Sequence, residues 1–325
     1  MAYIDNDTYA KYISGTDEND EIYNNNWRVT IDGGNGNDTI YSNGVYWHDN
    51  DILTSMRHAH KCLLNGGAGN DSITNLSIES TILGGDGNDT IMNRGSASGG
   101  DYSDYLSRNL VDGGAGNDSI SNGSANSTII GGSGKDTIEN TGDGLNVTID
   151  GGKGNDKINN TASSVSISGG KGNDLISLSS DAANNVIEYK AGDGNDKITG
   201  FNADDTLKIG GGTGTYSTVE SGDDIIVTVG KGKVTIVGGV DLDALNIDGA
   251  QIVKATNKTS AAVTMEPEIK FFDASSRTAA INITGNKLSN SIVGGTKNDT
   301  LSGGYGADTL IGGKGNDFLD GGKGD

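Results

Sequence analysis

The chain has 325 residues, 54 of them glycine and one proline, with a formal net charge of -21. Hydrophobic residues make up 33% and aromatics 5%, thin for a conventional core at this length. The acidity argues against nucleic acid and anionic membrane surfaces as partners and for a bound cation. No stretch approaches the roughly 18 consecutive apolar residues of a membrane helix, and the single cysteine, Cys62, cannot form an internal disulfide. Low hydrophobicity with high charge is also the composition of disordered chains, so order must come from something regular. The opening segment, MAYIDNDTYAKYISG, lacks the basic and apolar regions of a standard secretory signal peptide.

The regular element is a glycine hexapeptide. A weak copy, GTDEND, ends at Asp20; then come GGNGND ending at Asp38, GGAGND at Asp71, GGDGND at Asp89, GGAGND at Asp118, GGSGKD at Asp136, GGKGND at Asp156 and Asp174, and AGDGND at Asp196. Their closing Asp residues are 18, 33, 18, 29, 18, 20, 18 and 22 residues apart, a step of 18 with insertions. Around each turn the pattern has the period of a strand. Two residues after the Asp stands Ile22, Ile40, Ile73, Ile91, Ile120, Ile138, Ile158, Ile176 or Ile198. Two before the first glycine stands Ile31, Leu64, Ile82, Val111, Ile129, Ile149 or Ile167. Each coil thus offers two short strands whose apolar faces only stacking can cover. Four residues after the Asp, the same parity gives Asn24, Asn75, Asn93, Asn122, Asn140 and Asn160, with Ser42 and Leu178 breaking the row. We expect an inward asparagine ladder at the turn opposite the glycines.

Insertions at residues 43–61 and 94–108 carry Tyr46, Trp47, Arg57, Tyr102, Tyr105 and Arg108, residue types suited to a surface or protein ligand. His58 and His60 with Asp49, Asp51 and Cys62 could form a transition-metal site, but Cys62 falls in an inward slot and reads as a core residue. GGSGKDT at Gly131–Thr137 fails as a phosphate loop because Asp136 stands where Ser or Thr must meet magnesium. Residues 201–240 lack glycine turns and read as strands with a hairpin at Gly230–Gly232, a β capping segment; 241–280 read as a linker with short strands. From Gly285 a second array follows, GNKLSN, GGTKND, GGYGAD and GGKGND, ending at Asn290, Asp299, Asp308 and Asp317 with a step of 9. The first roll is assigned to 1–200 and the second to 281–325, where the chain stops inside another copy, as a fragment would.

This nonapeptide resembles the RTX, or hemolysin-type, calcium-binding repeat over residues 15–210 and 281–325; the G-G-x-G-x-D-x-U-x pattern is the standing example of a calcium-binding β-helix repeat. The resemblance implies an all-β fold: a right-handed parallel β-roll (a β-solenoid) with a small capping segment and a second, short β-roll. It implies several calcium ions lying between turns two nonapeptides apart, in one file in the first array and two in the second. By resemblance the ligands in the first array are Asp20; Gly33, Gly34, Gly36 and Asp38; Gly66, Gly67, Gly69 and Asp71; Gly84, Gly85, Gly87 and Asp89; Gly113, Gly114, Gly116 and Asp118; Gly131, Gly132, Gly134 and Asp136; Gly151, Gly152, Gly154 and Asp156; Gly169, Gly170, Gly172 and Asp174; and Gly192, Gly194 and Asp196. In the second array they are Gly294, Gly295 and Asp299; Gly303, Gly304, Gly306 and Asp308; and Gly312, Gly313, Gly315 and Asp317, with Asn290 lacking the carboxylate.

Physics agrees with the resemblance. Carbonyl and carboxylate oxygens are calcium ligands. Carboxylates stacked about 4.8 Å apart would repel by roughly 3.5 kcal/mol per pair at an effective dielectric of about 20, and a divalent ion reverses that sign. The expected function is a calcium-dependent structural or binding module, not an enzyme; the resemblance implies that it belongs to a protein secreted from or displayed on a bacterium through a type I channel. The alternatives are the carrier of a secreted protease, lipase or epimerase whose catalytic part lies outside this chain, or an adhesin. Ice binding is disfavoured because the third turn position reads Asn35, Ala68, Asp86, Ala115, Ser133, Lys153, Lys171 and Asp193 rather than threonine.

Overall fold

The structure, a computed structural model, describes residues 2–6, 11–26, 28–42, 61–94, 107–141, 146–212, 214–242, 245–267 and 269–324. Among these there is no α-helix, and none that could cross a membrane. Strands after each Asp (Glu21–Asn24, Thr39–Ser42, Ser72–Asn75 and onward to Asn195–Thr199) pair in parallel, and strands entering each glycine turn (Thr30–Asn35, Leu63–Ala68, Thr81–Asp86 and onward to Thr206–Ile209) pair in parallel opposite them. The result is a parallel β-roll of two facing sheets.

Register is set by the apolar columns, because a one-residue slip would turn every isoleucine outward. Ile22 pairs with Ile40, Ile40 with Ile73 and Ile73 with Ile91 on one sheet; Ile31 pairs with Leu64 and Leu64 with Ile82 on the other. All of these are at most 1% exposed, so the narrow interior is an aliphatic seam. The insertions leave that register intact: Asp38 and Asp71 are 33 residues apart yet stand on adjacent coils. Most of the two insertion loops, and with them the expected ligand patch and the His58–His60 site, lie outside the described residues; Cys62 is buried in the core as its parity implies.

The asparagine ladder is present. Nδ2 of Asn75 donates to Oδ1 of Asn93 at 2.9 Å, and the chain of bonds continues through Asn122 (2.8 Å), Asn140 (2.8 Å) and Asn160 (2.7 Å). Asn122 spends its other amide hydrogen on the Ser124 carbonyl at 3.0 Å. Ser42 carries the row across the break, accepting from Asn24 at 3.3 Å and contacting Ser77 Oγ at 3.1 Å. The same turn holds a feature that no residue type betrays. Arg28, Lys61, Glu79, Arg108, Asn126, Asn146, Ser164 and Asn184 all adopt positive φ, between 40° and 62°, two residues before the next strand begins.

Two expectations need correction. Residues 201–240 join the first roll at its edge, Gly232–Ile236 lying parallel along Asn195–Thr199. The segment is also spliced into the stack: Gly232–Ile236, Asp224–Val229 and Thr215–Ser221 form an antiparallel meander whose far edge pairs with Ala250–Lys254. The stretch read as a linker is, from residue 250, part of the second roll. Ile252 pairs with Phe271, Phe272 with Ile292, and Val263 with Ile283, around a core of Phe272, Ile281, Ile283, Ile292 and Leu301. These coils dispense with glycine turns, which is why a reading keyed to glycine passed over them.

Candidate metal centre

Each closing Asp is used twice. One carboxylate oxygen accepts the backbone N–H of the Asp on the preceding coil: Asp20 N to Asp38 Oδ1 at 2.7 Å, then Asp38 to Asp71 (2.7 Å), Asp71 to Asp89 (2.7 Å), Asp89 to Asp118 (2.8 Å), Asp118 to Asp136 (2.8 Å), Asp136 to Asp156 (2.8 Å), Asp156 to Asp174 (2.8 Å) and Asp174 to Asp196 (3.0 Å). The other oxygen is buried without a partner in Asp38, Asp71, Asp89, Asp118, Asp136, Asp156 and Asp174. Leaving one such charged acceptor unsatisfied is costly; seven in a file call for a cation.

The glycines shape the space beside that oxygen. A methyl group on Gly33 would stand 2.5 Å from Asp38 Oδ2 and 2.3 Å from the Gly66 carbonyl oxygen of the next coil. The same convergence of carboxylate and next-coil carbonyl recurs beside Gly66, Gly84, Gly113, Gly131 and Gly151. The third glycine serves close approach: at Gly69, φ is 137° and a Cβ would lie 1.7 Å from the Gly36 carbonyl oxygen. Hard oxygens converging in a confined space, with no imidazole or thiolate, fit calcium rather than zinc or copper. Among the described residues no cluster of three His, Cys, Asp or Glu side chains occurs, because the carboxylates are strung in file and the remaining oxygens are backbone.

The electrostatics follow the burial. Desolvation pushes the Asp71 carboxyl up to about 6 and those of Asp118, Asp156 and Asp196 up to about 7. Asp38, Asp89, Asp136 and Asp174 are raised by the same cause. Repulsion from a neighbouring Asp of the file adds to this at Asp38, Asp71, Asp118, Asp156 and Asp196, but less than burial does. Asp20 is lowered, chiefly by the N–H of Ala2, and its Oδ2 is already satisfied by the Thr16 N–H (2.6 Å) and hydroxyl (2.9 Å). Hydrogen bonds thus close this first turn.

At the other end the pattern is kept in part: a Cβ on Gly194 would lie 1.6 Å from the Gly172 carbonyl oxygen and Asp196 Oδ1 accepts the Asp174 N–H, but Gly192 departs from it. Ile187 stands nine residues before Asp196, whereas its partner Ile167 stands seven before Asp174; the two extra residues put Tyr189 one position beyond the pair Ser168–Glu188, beside Gly169. Its side chain is 1% exposed, and its phenol donates to the Gly194 carbonyl at 2.5 Å. Nothing lies within 4 Å of where a Cβ of Gly192 would be, and the three atoms nearest a Cβ on Gly169 all belong to Asp174, with no carbonyl of the following coil among them. In the second roll, Asn290 donates its N–H to Asp308 Oδ1 (2.7 Å) and Asp299 to Asp317 Oδ1 (2.8 Å), two files on opposite turns. Asp308 Oδ2 is buried without a partner, whereas Asp299 Oδ2 accepts the Gly295 N–H at 2.6 Å.

Sequence reasoning missed the role of the Asn before each Asp. Asn37 Oδ1 accepts the Asn70 N–H at 2.7 Å, Asn70 that of Asn88 at 2.6 Å, and Asn88 that of Asn117 at 2.6 Å. This ladder runs opposite in polarity to the Asp ladder, so the Asn-Asp pair stitches each coil to both neighbours. At Lys135, which is exposed, the backbone N–H still reaches Asn117 Oδ1 (2.7 Å), but the side chain has no oxygen to hand onward. The repetition of Asn at a fixed turn position was the available signal; ordinary turn preference hid it.

Stacked strands with a file of oxygen-lined cation sites along one edge define a calcium-binding repeat solenoid. The profile of the RTX calcium-binding nonapeptide repeat (4 copies) matches residues 28–44, 63–74, 80–93, 112–144, 141–162, 150–182, 189–216 and 284–325, more than half of the chain, and the chain belongs to that family. A comparison with curated proteins gave no match. Among solved structures the chain is similar to the extracellular lipase LipA from Serratia marcescens, at 18% identity and a TM-score of 0.29 over 73% of this chain, spanning 40% of that one.

Proposed function

We propose that this chain is a calcium-triggered folding module of a protein exported from a bacterial cell, and that it acts by presenting a rigid scaffold rather than by catalysis. The observation that carries this is the file of buried, partnerless Asp oxygens beside next-coil carbonyls. In this reading Asp38, Asp71, Asp89, Asp118, Asp136 and Asp156 supply carboxylate oxygens and the first glycine of each following turn supplies a carbonyl. Calcium removes the cost of burying those charges, so binding free energy becomes folding free energy. Outside the cell calcium is plentiful; inside it is scarce, which keeps the chain expanded until export. Any catalytic part would lie in other segments of the polypeptide.

Far-ultraviolet circular dichroism tests the proposal. In chelator at neutral pH the spectrum of the first roll will be coil-like. Added calcium will convert it to β with a midpoint of about 0.1–1 mM, as for extracellular calcium modules. An identical spectrum in chelator and in calcium would contradict it.

A further inference from the structure

The second roll contains a turn that does the work of a glycine turn without its residues. The file of Asp299 and Asp317 continues backward by 18 residues to Ile281, whose N–H donates to Asp299 Oδ1 at 2.9 Å, as each Asp N–H does in the first roll. The turn before Ile281 reads Ser276-Arg277-Thr278-Ala279-Ala280 and has neither glycine nor carboxylate. Arg277 stands where the next coil has Gly295, and its carbonyl accepts both the N–H (3.1 Å) and the hydroxyl (3.2 Å) of Thr296.

The Arg277 side chain is folded inward, and the residue is only 3% exposed. Its guanidinium donates to four backbone carbonyls: Nη1 to Thr256 (2.6 Å) and Thr259 (2.7 Å) of the preceding coil, Nε to Ala279 (3.0 Å) and Nη2 to Ala280 (3.3 Å) of its own. Among the described residues no carboxylate pairs with it. A buried cation persists only if its charge is met, and here backbone carbonyl dipoles of two adjacent coils meet it. That is the ligand type, and the bridging position between coils, that the family resemblance implies for calcium one coil further on.

We infer that Arg277 is a tethered replacement for calcium: its guanidinium holds the turn at residues 276–281 against the preceding coil without metal and presents a preformed edge on which the Asp299 file assembles. The planar fork suits this role, since five N–H donors can reach carbonyls of both coils at once. The inference rests on the calcium reading above, and the test separates the two.

Amide hydrogen exchange is followed on the full chain in chelator and in excess calcium, for the wild type, Arg277→Met and Arg277→Lys. In chelator the wild-type amides of residues 256–281 will exchange about tenfold or more slower than those of the Gly33–Asp38 and Gly84–Asp89 turns. Arg277→Met will erase that protection and calcium will not restore it, because the turn has no carboxylate. Arg277→Lys, which keeps the charge but not the fork, will retain part of it. The first-roll turns in calcium report whether a variant still folds. Wild-type protection at 256–281 that appears only with calcium would overturn the inference, as would equal protection in Arg277→Met and the wild type, or Met matching Lys. If the glycine turns themselves ignore calcium, the calcium reading fails, while the variant comparison in chelator still decides what Arg277 does.

Discussion

Replacing Gly84 with alanine will raise the calcium concentration needed to fold the first roll, and will destabilise the calcium-loaded protein by about 1–3 kcal/mol, the usual range for overpacking a filled interior. The reason is space alone. Gly84 does not adopt a left-handed φ, so alanine fits its backbone, but the added Cβ would lie 2.4 Å from Asp89 Oδ2 and 2.3 Å from the Gly113 carbonyl oxygen. Neither can retreat: Asp89 Oδ1 is held by the Asp71 N–H at 2.7 Å, and Gly113 lies within the strand Leu110–Ala115. Asp86→Ala, in the same turn but exposed, is the control and will cost no more than about 0.5 kcal/mol. Calcium titrations of the two variants by circular dichroism check this, and equal midpoints would contradict the cradle.

Without calcium, the first roll will be most stable in acid and will lose its structure as pH rises toward neutrality. Asp71 is raised to about 6 and Asp118, Asp156 and Asp196 to about 7, from an ordinary value of 3.8. A carboxyl raised in the folded state binds its proton more tightly folded than unfolded. Its contribution is therefore fully present below 3.8 and is lost as pH climbs through about 6 to 7. Asp20, lowered by the Ala2 N–H, works in the opposite sense, one group against the eight raised Asp residues of the same file. Calcium needs the carboxylates deprotonated, so protons and calcium compete for the same oxygens, and calcium-loaded protein will weaken in the acid range where metal-free protein gains. Denaturant unfolding in chelator and in calcium across this range checks both slopes. A metal-free roll that gains stability on going from acid to neutral pH would contradict the burial of these carboxyls.

The coils were legible because two signals coincide at each: an apolar period of two around Ile22 or Ile31, and a glycine turn at a step of 18. The stacking of Asp38 and its successors in file was legible from the step of 18. Its electrostatic emphasis was not: stacking suggested like-charge repulsion as the main penalty, whereas desolvation outweighs it once the roll closes. Where the glycine signal stops, the reading failed. Residues 250–280 form full coils around Phe272 with an arginine in the turn, a solution that leaves no periodic trace. Tyr189 was hidden in a different way, since two added residues shift it into a glycine's place without disturbing the AGDGND motif that follows. The positive-φ positions from Arg28 to Asn184 share a place in the coil but no residue type, so only the backbone reveals them.

The central claim is that cations lie in file along the Asp edge, and anomalous diffraction from crystals grown in calcium tests it most directly. The account predicts a row of anomalous peaks beside Asp38, Asp71, Asp89, Asp118, Asp136 and Asp156, each within ligand distance of the Oδ2 that now lacks a partner. It predicts none along the Asn75–Asn160 edge and none beside the Arg277 guanidinium. Peaks scattered over surface carboxylates, with the Asp file empty, would contradict it.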